Sequence, residues 1–188
     1  MSNQKLKIGI ILGSTREGRV SPSVGAWFKE LADKRGDANY EIIDVKAFKL
    51  PLLGESDVMT GITKWNKKLS ELDGFVFITA EYNHSIPASL KNALDLAKDA
   101  WNNKAAGIVS YGSVGGARAA EHLRGILGEL QIADVRTHVA LSLFTDFKDG
   151  SFNPQTLHQT NVTMMLDQLN NWSNALRSVR LDLTKKQP

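Results

Sequence analysis

The run Gly13-Ser14-Thr15-Arg16-Glu17-Gly18-Arg19-Val20-Ser21-Pro22-Ser23 follows a short apolar segment and leads into a helical pattern. It offers hydroxyls, two guanidinium groups and two glycines, which are the parts of a phosphate cradle. Free N–H groups and the positive dipole end of a helix N-terminus attract an anion, hydroxyls donate to it, and arginine pairs with phosphate oxygens. The plainer alternative is a turn in which Ser21 or Ser23 only caps the helix. The loop has no Gly-Lys-Ser/Thr tripeptide and reads GSTREG where a dinucleotide fingerprint needs GxGxxG. It is therefore neither of the common nucleotide loops, and ATPase or kinase chemistry is disfavoured.

Two further loops carry chemistry. Ala80-Glu81-Tyr82-Asn83-His84-Ser85-Ile86-Pro87-Ala88 sets an aromatic, an amide and an imidazole directly after an apolar run. Such a loop can lay a flat ring against Tyr82 while backbone amides and Asn83 read its polar edge. Alternatively, Tyr82 packs over the core and Asn83 makes an Asx turn. Tyr111-Gly112-Ser113-Val114-Gly115-Gly116-Ala117-Arg118 contains three glycines in five positions, and their missing side chains let backbone approach a ligand. A phosphate at the first loop and a planar ring between the other two describe a mononucleotide such as FMN.

Something must bring these loops together. Leu6–Leu12, Phe75–Thr79 and Ala105–Ser110 are apolar on both faces if extended, as central parallel strands are. Tyr40–Val45 and Val135–Ala140 alternate and suit positions nearer a sheet edge. Between them the period turns helical, with stripes through Val24, Trp27, Phe28 and Leu31, and through Ile62, Trp65, Leu69 and Leu72. Leu90, Leu94 and Ala97 form a third, and Ala120, Leu123, Leu127 and Leu130 a fourth. The fifth runs Val162, Met165, Leu169, Trp172, Leu176, Val179, and Pro22, Pro87 and Pro154 each fall where a helix is expected to start. Alternating strands and helices predict an α/β three-layer sandwich spanning residues 1–188 as a single domain. In such sheets ligands sit beyond the carboxyl ends of the strands, where strand order reverses.

Composition narrows the classes. With 188 residues, 42% hydrophobic, the chain is long enough to bury a core. The absence of cysteine excludes disulfides, iron–sulfur clusters, thiolate zinc and a cysteine nucleophile. A net charge of +3 is a mild bias that suits anionic small molecules and does not demand nucleic acid. No segment approaches the roughly 18 apolar residues of a membrane span, and no signal peptide is evident, so a cytoplasmic location is expected. The sequons at Asn83, Asn161 and Asn171 are then chance occurrences. His84, His122, His138 and His158 lack metal-ligand spacing and no metal site is expected. His122 and His158 are placed on solvated helix surface and His138 in an outer strand. Trp65, Trp101 and Trp172 are candidate interface anchors, although apolar spacing puts Trp65 and Trp172 in the core.

The segments GSTREGR (Gly13–Arg19), EYNHSIPASLKNALD (Glu81–Asp95) and SYGSVGGARA (Ser110–Ala119), in that order, resemble the NADPH-dependent FMN reductase family of flavodoxin-like proteins. The similarity runs from the first strand through the fourth helix, departing at Ala80, where many relatives carry proline. It implies a five-stranded parallel sheet in order 2-1-3-4-5, noncovalent FMN, and a homodimer or homotetramer. It implies that Ser14, Arg16, Arg19 and Ser21 hold the FMN phosphate, with Ser23 a weaker candidate. Glu81, Tyr82, Asn83 and His84 would line the isoalloxazine and ribityl region, largely through backbone groups. Gly112, Ser113, Gly115 and Gly116 would approach the pyrimidine side of the ring. The implied reaction passes a hydride from NAD(P)H through FMN to a small acceptor: a quinone, azo compound, free flavin or metal oxyanion. No catalytic side chain is then required, because the cofactor carries the electrons. Two other readings share the fold: a flavodoxin-like electron carrier without NAD(P)H activity, and a non-enzymatic FMN-binding regulator. Carriers are typically strongly acidic, whereas this chain is slightly basic, with Arg16, Arg19 and Arg118 beside the expected site.

Overall fold

The computed structural model describes residues 4–57, 60–97 and 99–185. Five parallel strands, β1 (Leu6–Leu12), β2 (Ala38–Asp44), β3 (Gly74–Ala80), β4 (Lys104–Gly112) and β5 (Ile132–Ser142), pair in the order β2-β1-β3-β4-β5. This is the predicted order, and the edge assignments of β2 and β5 hold. All seven residues of β3 are buried, whereas β2 and β5 mix buried with partly or fully exposed positions.

Helices cover both faces. On one side α1 (Ser21–Asp33) and α5 (His158–Lys185) pack Val24, Phe28, Met165 and Leu169 onto Ile8, Ile10, Val76 and Ile78. On the other, α2 (Gly61–Ser70), α3 (Ala88–Asp95) and α4 (Ala117–Glu129) pack Trp65, Leu69, Leu94 and Leu123 onto Ile11, Phe75 and Phe77. Consecutive residues of β1 and β3 thus feed opposite cores, as the period of two requires. Short 3₁₀ turns at Val45–Phe48 and Asp99–Trp101, and a small antiparallel pair, β6 (Phe147–Lys148) with β7 (Ser151–Phe152), complete the described chain.

Three expectations need correction. Trp65 is fully buried and donates Nε1–H to the Ala93 carbonyl at 2.8 Å, but Trp172 is 50% exposed. The buried face of α5 steps through Leu166, Leu169 and Ser173, which sets Trp172 one residue off that face. Trp101 is fully buried and donates to Leu94, so it cannot anchor an interface. His158 is buried instead of solvated: it opens α5 with Nε2 2.8 Å from Asp146 Oδ1. Asp146 also accepts from the Ser142 and Gln155 amides, clamping the β5–α5 connection. Pro154 lies ahead of α5, in that connection, whereas Pro22 sits in the first turn of α1 and Pro87 immediately precedes α3.

Candidate functional site

The β1–α1 loop is held by its neighbours. The Gly13 amide donates to the Ile78 carbonyl at 3.0 Å, and Ser89 Oγ donates to the Gly13 carbonyl at 2.7 Å. Arg19 forms a bidentate pair with Asp44 at 2.7 and 2.5 Å and also donates to the Ser14 carbonyl. Its guanidinium therefore braces the loop against the end of β2. The hydrogen bond to Asp44 raises the Arg19 pKa despite burial; Asp44 is shifted down, burial opposing and Arg19 and the Lys46 amide prevailing.

Arg16 is different. It has no carboxylate partner among the described residues, and its guanidinium carbon lies 5.9 Å from the centroid of the Tyr82 ring. The first turn of α1 follows, with Val20 at the N-cap and no side-chain cap, so Ser21 and Ser23 do not act as caps. Ser21 is fully buried, Ser23 exposed. The Ser21 and Tyr111 hydroxyls lie near each other, both buried and without a well-formed hydrogen bond. Burial, then the neighbouring Tyr82, pushes the Tyr111 phenol up.

After β3, Tyr82 and Ser85 exchange backbone hydrogen bonds at 2.9 and 3.0 Å. Between them Asn83 (φ 49°) and His84 (φ 67°) are both left-handed, the signature of a type I′ turn. This turn leaves the Asn83 and His84 side chains exposed, and their amides make no hydrogen bond among the described residues. Tyr82 turns back toward the first loop, with Oη 3.0 Å from Ser14 Oγ. Glu81 ties this loop to α4: its carboxylate accepts from the Arg118 amide and guanidinium. Burial opposes ionisation of Glu81, but Arg118 and the first-turn amides of α4 hold its pKa below the ordinary value.

After β4, Gly115 and Gly116 have φ of 70° and 71°. A Cβ on Gly116 would lie 2.7 Å from Ser110 Cβ, and one on Gly112 would lie 3.1 Å from Glu81 Cβ. Gly116 is thus required by the chain's own packing, and Gly112 sits in a tight approach. Ser110 Oγ donates to the Gly115 carbonyl at 2.6 Å and accepts from His138 Nε2–H at 2.7 Å. Burial, then Arg124, lowers the His138 pKa, which keeps that ring neutral. Ser113 and Val114 form the exposed tip.

The loops meet in a cleft of about 160 Å³ beyond the carboxyl ends of β1, β3 and β4. Of the residues expected from sequence, Arg16, Arg19, Glu81, Tyr82 and Gly112 line it. Ser14 lies behind, joined through Tyr82, and Ser21 sits beside Tyr111; Asn83, His84 and Ser113 are on exposed loop. Sequence reasoning missed Tyr111 and Leu143 in the lining, and Asp44 as the partner of Arg19. The Leu143 amide donates to the Gly112 carbonyl at 3.0 Å, a contact across the β4–β5 pair that no local motif announces.

This is a doubly wound α/β protein with a cleft at its topological switch point. The profile of the family described as NADPH-dependent FMN reductase matches residues 6–146. An NAD(P)H-dependent FMN reductase of Schizosaccharomyces pombe is 37% identical over 149 residues, covering 74% of each chain. A 2-hydroxy-1,4-benzoquinone reductase of a Burkholderia species is 32% identical over 137 residues, covering 68% of this chain and 73% of the relative. The flavoenzyme NAD(P)H:(acceptor) oxidoreductase FerB of Paracoccus denitrificans shares the fold, with a TM-score of 0.72 and 20% identity over 90% of this chain and 98% of that one. The chain belongs to the NADPH-dependent FMN reductase family, and is an oxidoreductase that uses FMN with NAD(P)H as donor.

Proposed function

We propose that the chain acts as one FMN-binding domain, with the cleft described above as its cofactor site, and that it reduces quinones in the cytoplasm. One observation carries the site assignment: Val20 at the uncapped N-terminus of α1, Arg16, which has no carboxylate partner among the described residues, and Tyr111 line one cleft, with the buried Ser21 hydroxyl beside Tyr111. Buried polar groups are ordinarily satisfied, so an unfilled donor set beside a helix N-terminus fits a phosphate. Arg16 and the α1 amides would hold that phosphate, with Ser14, Ser21 and Tyr82 as hydroxyl partners. Arg19, committed to Asp44, would shape the cradle.

Bound there, FMN would supply the redox centre between the nicotinamide donor and the acceptor. The protein's part is placement and electrostatics. The amides of Asn83 and His84, which have no acceptor among the described residues, offer donors to the polar edge of the ring, where negative charge grows on reduction, whereas the Gly115 amide is already committed to the Gly112 carbonyl. Glu81–Arg118 and Ser110–His138 would keep these two loops in register. Quinones are favoured among acceptors because a relative is a benzoquinone reductase; azo compounds, free flavin and metal oxyanions are alternatives.

A homodimer or homotetramer is part of the same proposal. Its support is a groove of about 740 Å³ between α3 and α4, with Ile86, Ile126 and Leu130 among acidic and basic neighbours. A face carrying both charge signs suits a self-complementary interface. Light scattering showing monomer alone would remove the oligomer. The cofactor proposal is tested by reconstituting the purified protein with FMN and adding NADPH with a quinone. Retained flavin absorbance and steady NADPH oxidation support it; bound flavin without turnover refutes the reductase, and no bound flavin refutes the site.

A further inference from the structure

A second cavity is lined in part by the residue that precedes Arg16. Thr15 and Arg16 are consecutive, yet Arg16 lines the flavin cleft while Thr15 lines a separate cavity of about 400 Å³ between the 3₁₀ turn after β2 and the start of α3. Its walls include Val45, Lys46, Lys49, Leu50 and Asn92, and no acidic residue among the described residues contributes to them. Four surface lysines, Lys29, Lys34, Lys68 and Lys91, each pair with a carboxylate. Lys46 and Lys49 have no such partner among the described residues. Asp44, the nearest acid in sequence, is occupied by the Arg19 guanidinium and the Lys46 amide.

The wall carrying these lysines is held in place. Asn92 on α3 donates to the Pro51 carbonyl at 2.8 Å and accepts from the Leu53 amide at 2.9 Å, pinning the β2–α2 connection to the helix. Lys49, at φ 49°, ends the 3₁₀ turn. Val45 supplies buried apolar surface at the base. Two lysines without a salt-bridge partner among the described residues, lining one cavity with the buried Val45, suit a nucleoside bearing a phosphomonoester, which carries about −1.5 to −2 charge near neutrality.

We propose that this cavity receives the adenosine 2′-phosphate arm of NADPH, with Lys46 and Lys49 as the residues that select NADPH over NADH. The inference rests on the proposed function, since the nicotinamide end must reach the neighbouring cleft. NADH lacks the phosphate that these lysines would pair with, so they act on donor choice and leave flavin binding alone.

The test is calorimetric titration of the full chain, with and without FMN, using adenosine 2′,5′-bisphosphate, 5′-AMP and inorganic phosphate as probes. The wild type is expected to bind the bisphosphate at least about tenfold more tightly than 5′-AMP. K46Q and K49Q should each weaken bisphosphate binding about fivefold, and the double variant about twentyfold, leaving 5′-AMP and FMN affinity unchanged. In steady state the double variant should raise KM for NADPH and not for NADH. Equal binding of the two nucleotides by the wild type, or an unchanged preference in the double variant, overturns the assignment. Inorganic phosphate competing as well as the bisphosphate would mark a general anion site and overturn it too. Failure of the proposed function is distinguishable, because it appears as loss of flavin binding or turnover while the nucleotide titration still reads this cavity.

Discussion

Replacing Arg16 and Arg19 separately with alanine divides ligand binding from loop architecture. Arg16 pairs with no described carboxylate and only overhangs Tyr82, so its removal strands no buried charge. Losing one charge-assisted hydrogen bond to a phosphate costs about 1.5–3 kcal/mol, or about 10- to 150-fold in FMN affinity. R16A should therefore weaken FMN by that factor with thermal stability unchanged. Arg19 has a side chain only 12% exposed, and its loss frees Asp44 and the Ser14 carbonyl together. R19A should cost about 2 kcal/mol of stability, lowering Tm by about 4–8 °C in addition to weakening FMN. Quenching of FMN fluorescence measures the first quantity and thermal denaturation without cofactor the second. If R16A holds FMN as tightly as wild type, or loses as much Tm as R19A, the division of labour is wrong.

Other perturbations reach different parts of the molecule. Gly116→Ala places a Cβ at positive φ against Ser110 and the Tyr111 amide, and should cost about 1–3 kcal/mol and loosen FMN, read by denaturant unfolding. Asp146 is held below its ordinary pKa, burial opposing and the Gln155 and Ser142 amides and His158 prevailing, so it stabilises the fold above its unfolded pKa and loses that contribution as pH falls through the folded one. Asp146→Asn should lower stability at neutral pH and flatten this acid limb in urea melts. Lys104 is buried at the start of β4, where burial and then Arg180 bring its pKa down to about 7 from 10.5. The unfolded chain binds that proton more readily, so stability should rise by about 2 kcal/mol between pH 7 and 9, and Lys104→Met should abolish the rise.

The fold was legible because its signals are local. Leu6–Leu12 and Phe75–Thr79 are apolar on both faces and could only be central strands, and the alternation in β2 and β5 marked the edges. The loops were legible as an ordered set for the same reason, since each follows a strand that sequence could place. What escaped was long-range pairing. Arg19 reads as a phosphate ligand until Asp44, 25 residues on, is seen to occupy it. The glycines after β4 read as room for a ligand, whereas Gly116 makes room for Ser110. His158 looked like a surface residue because its partner, Asp146, sits 12 residues earlier in a loop of no regular period. Trp172 kept the spacing of a core residue, yet Ser173 holds the buried position.

A crystal structure grown with saturating FMN tests the central claim most directly. The phosphate should lie at the α1 N-terminus within reach of Arg16 and the Ser21 hydroxyl, with the ring at the rim between Asn83–His84 and Gly112–Gly116. Cofactor density elsewhere on the chain, or a cleft with no flavin in it, would contradict the account.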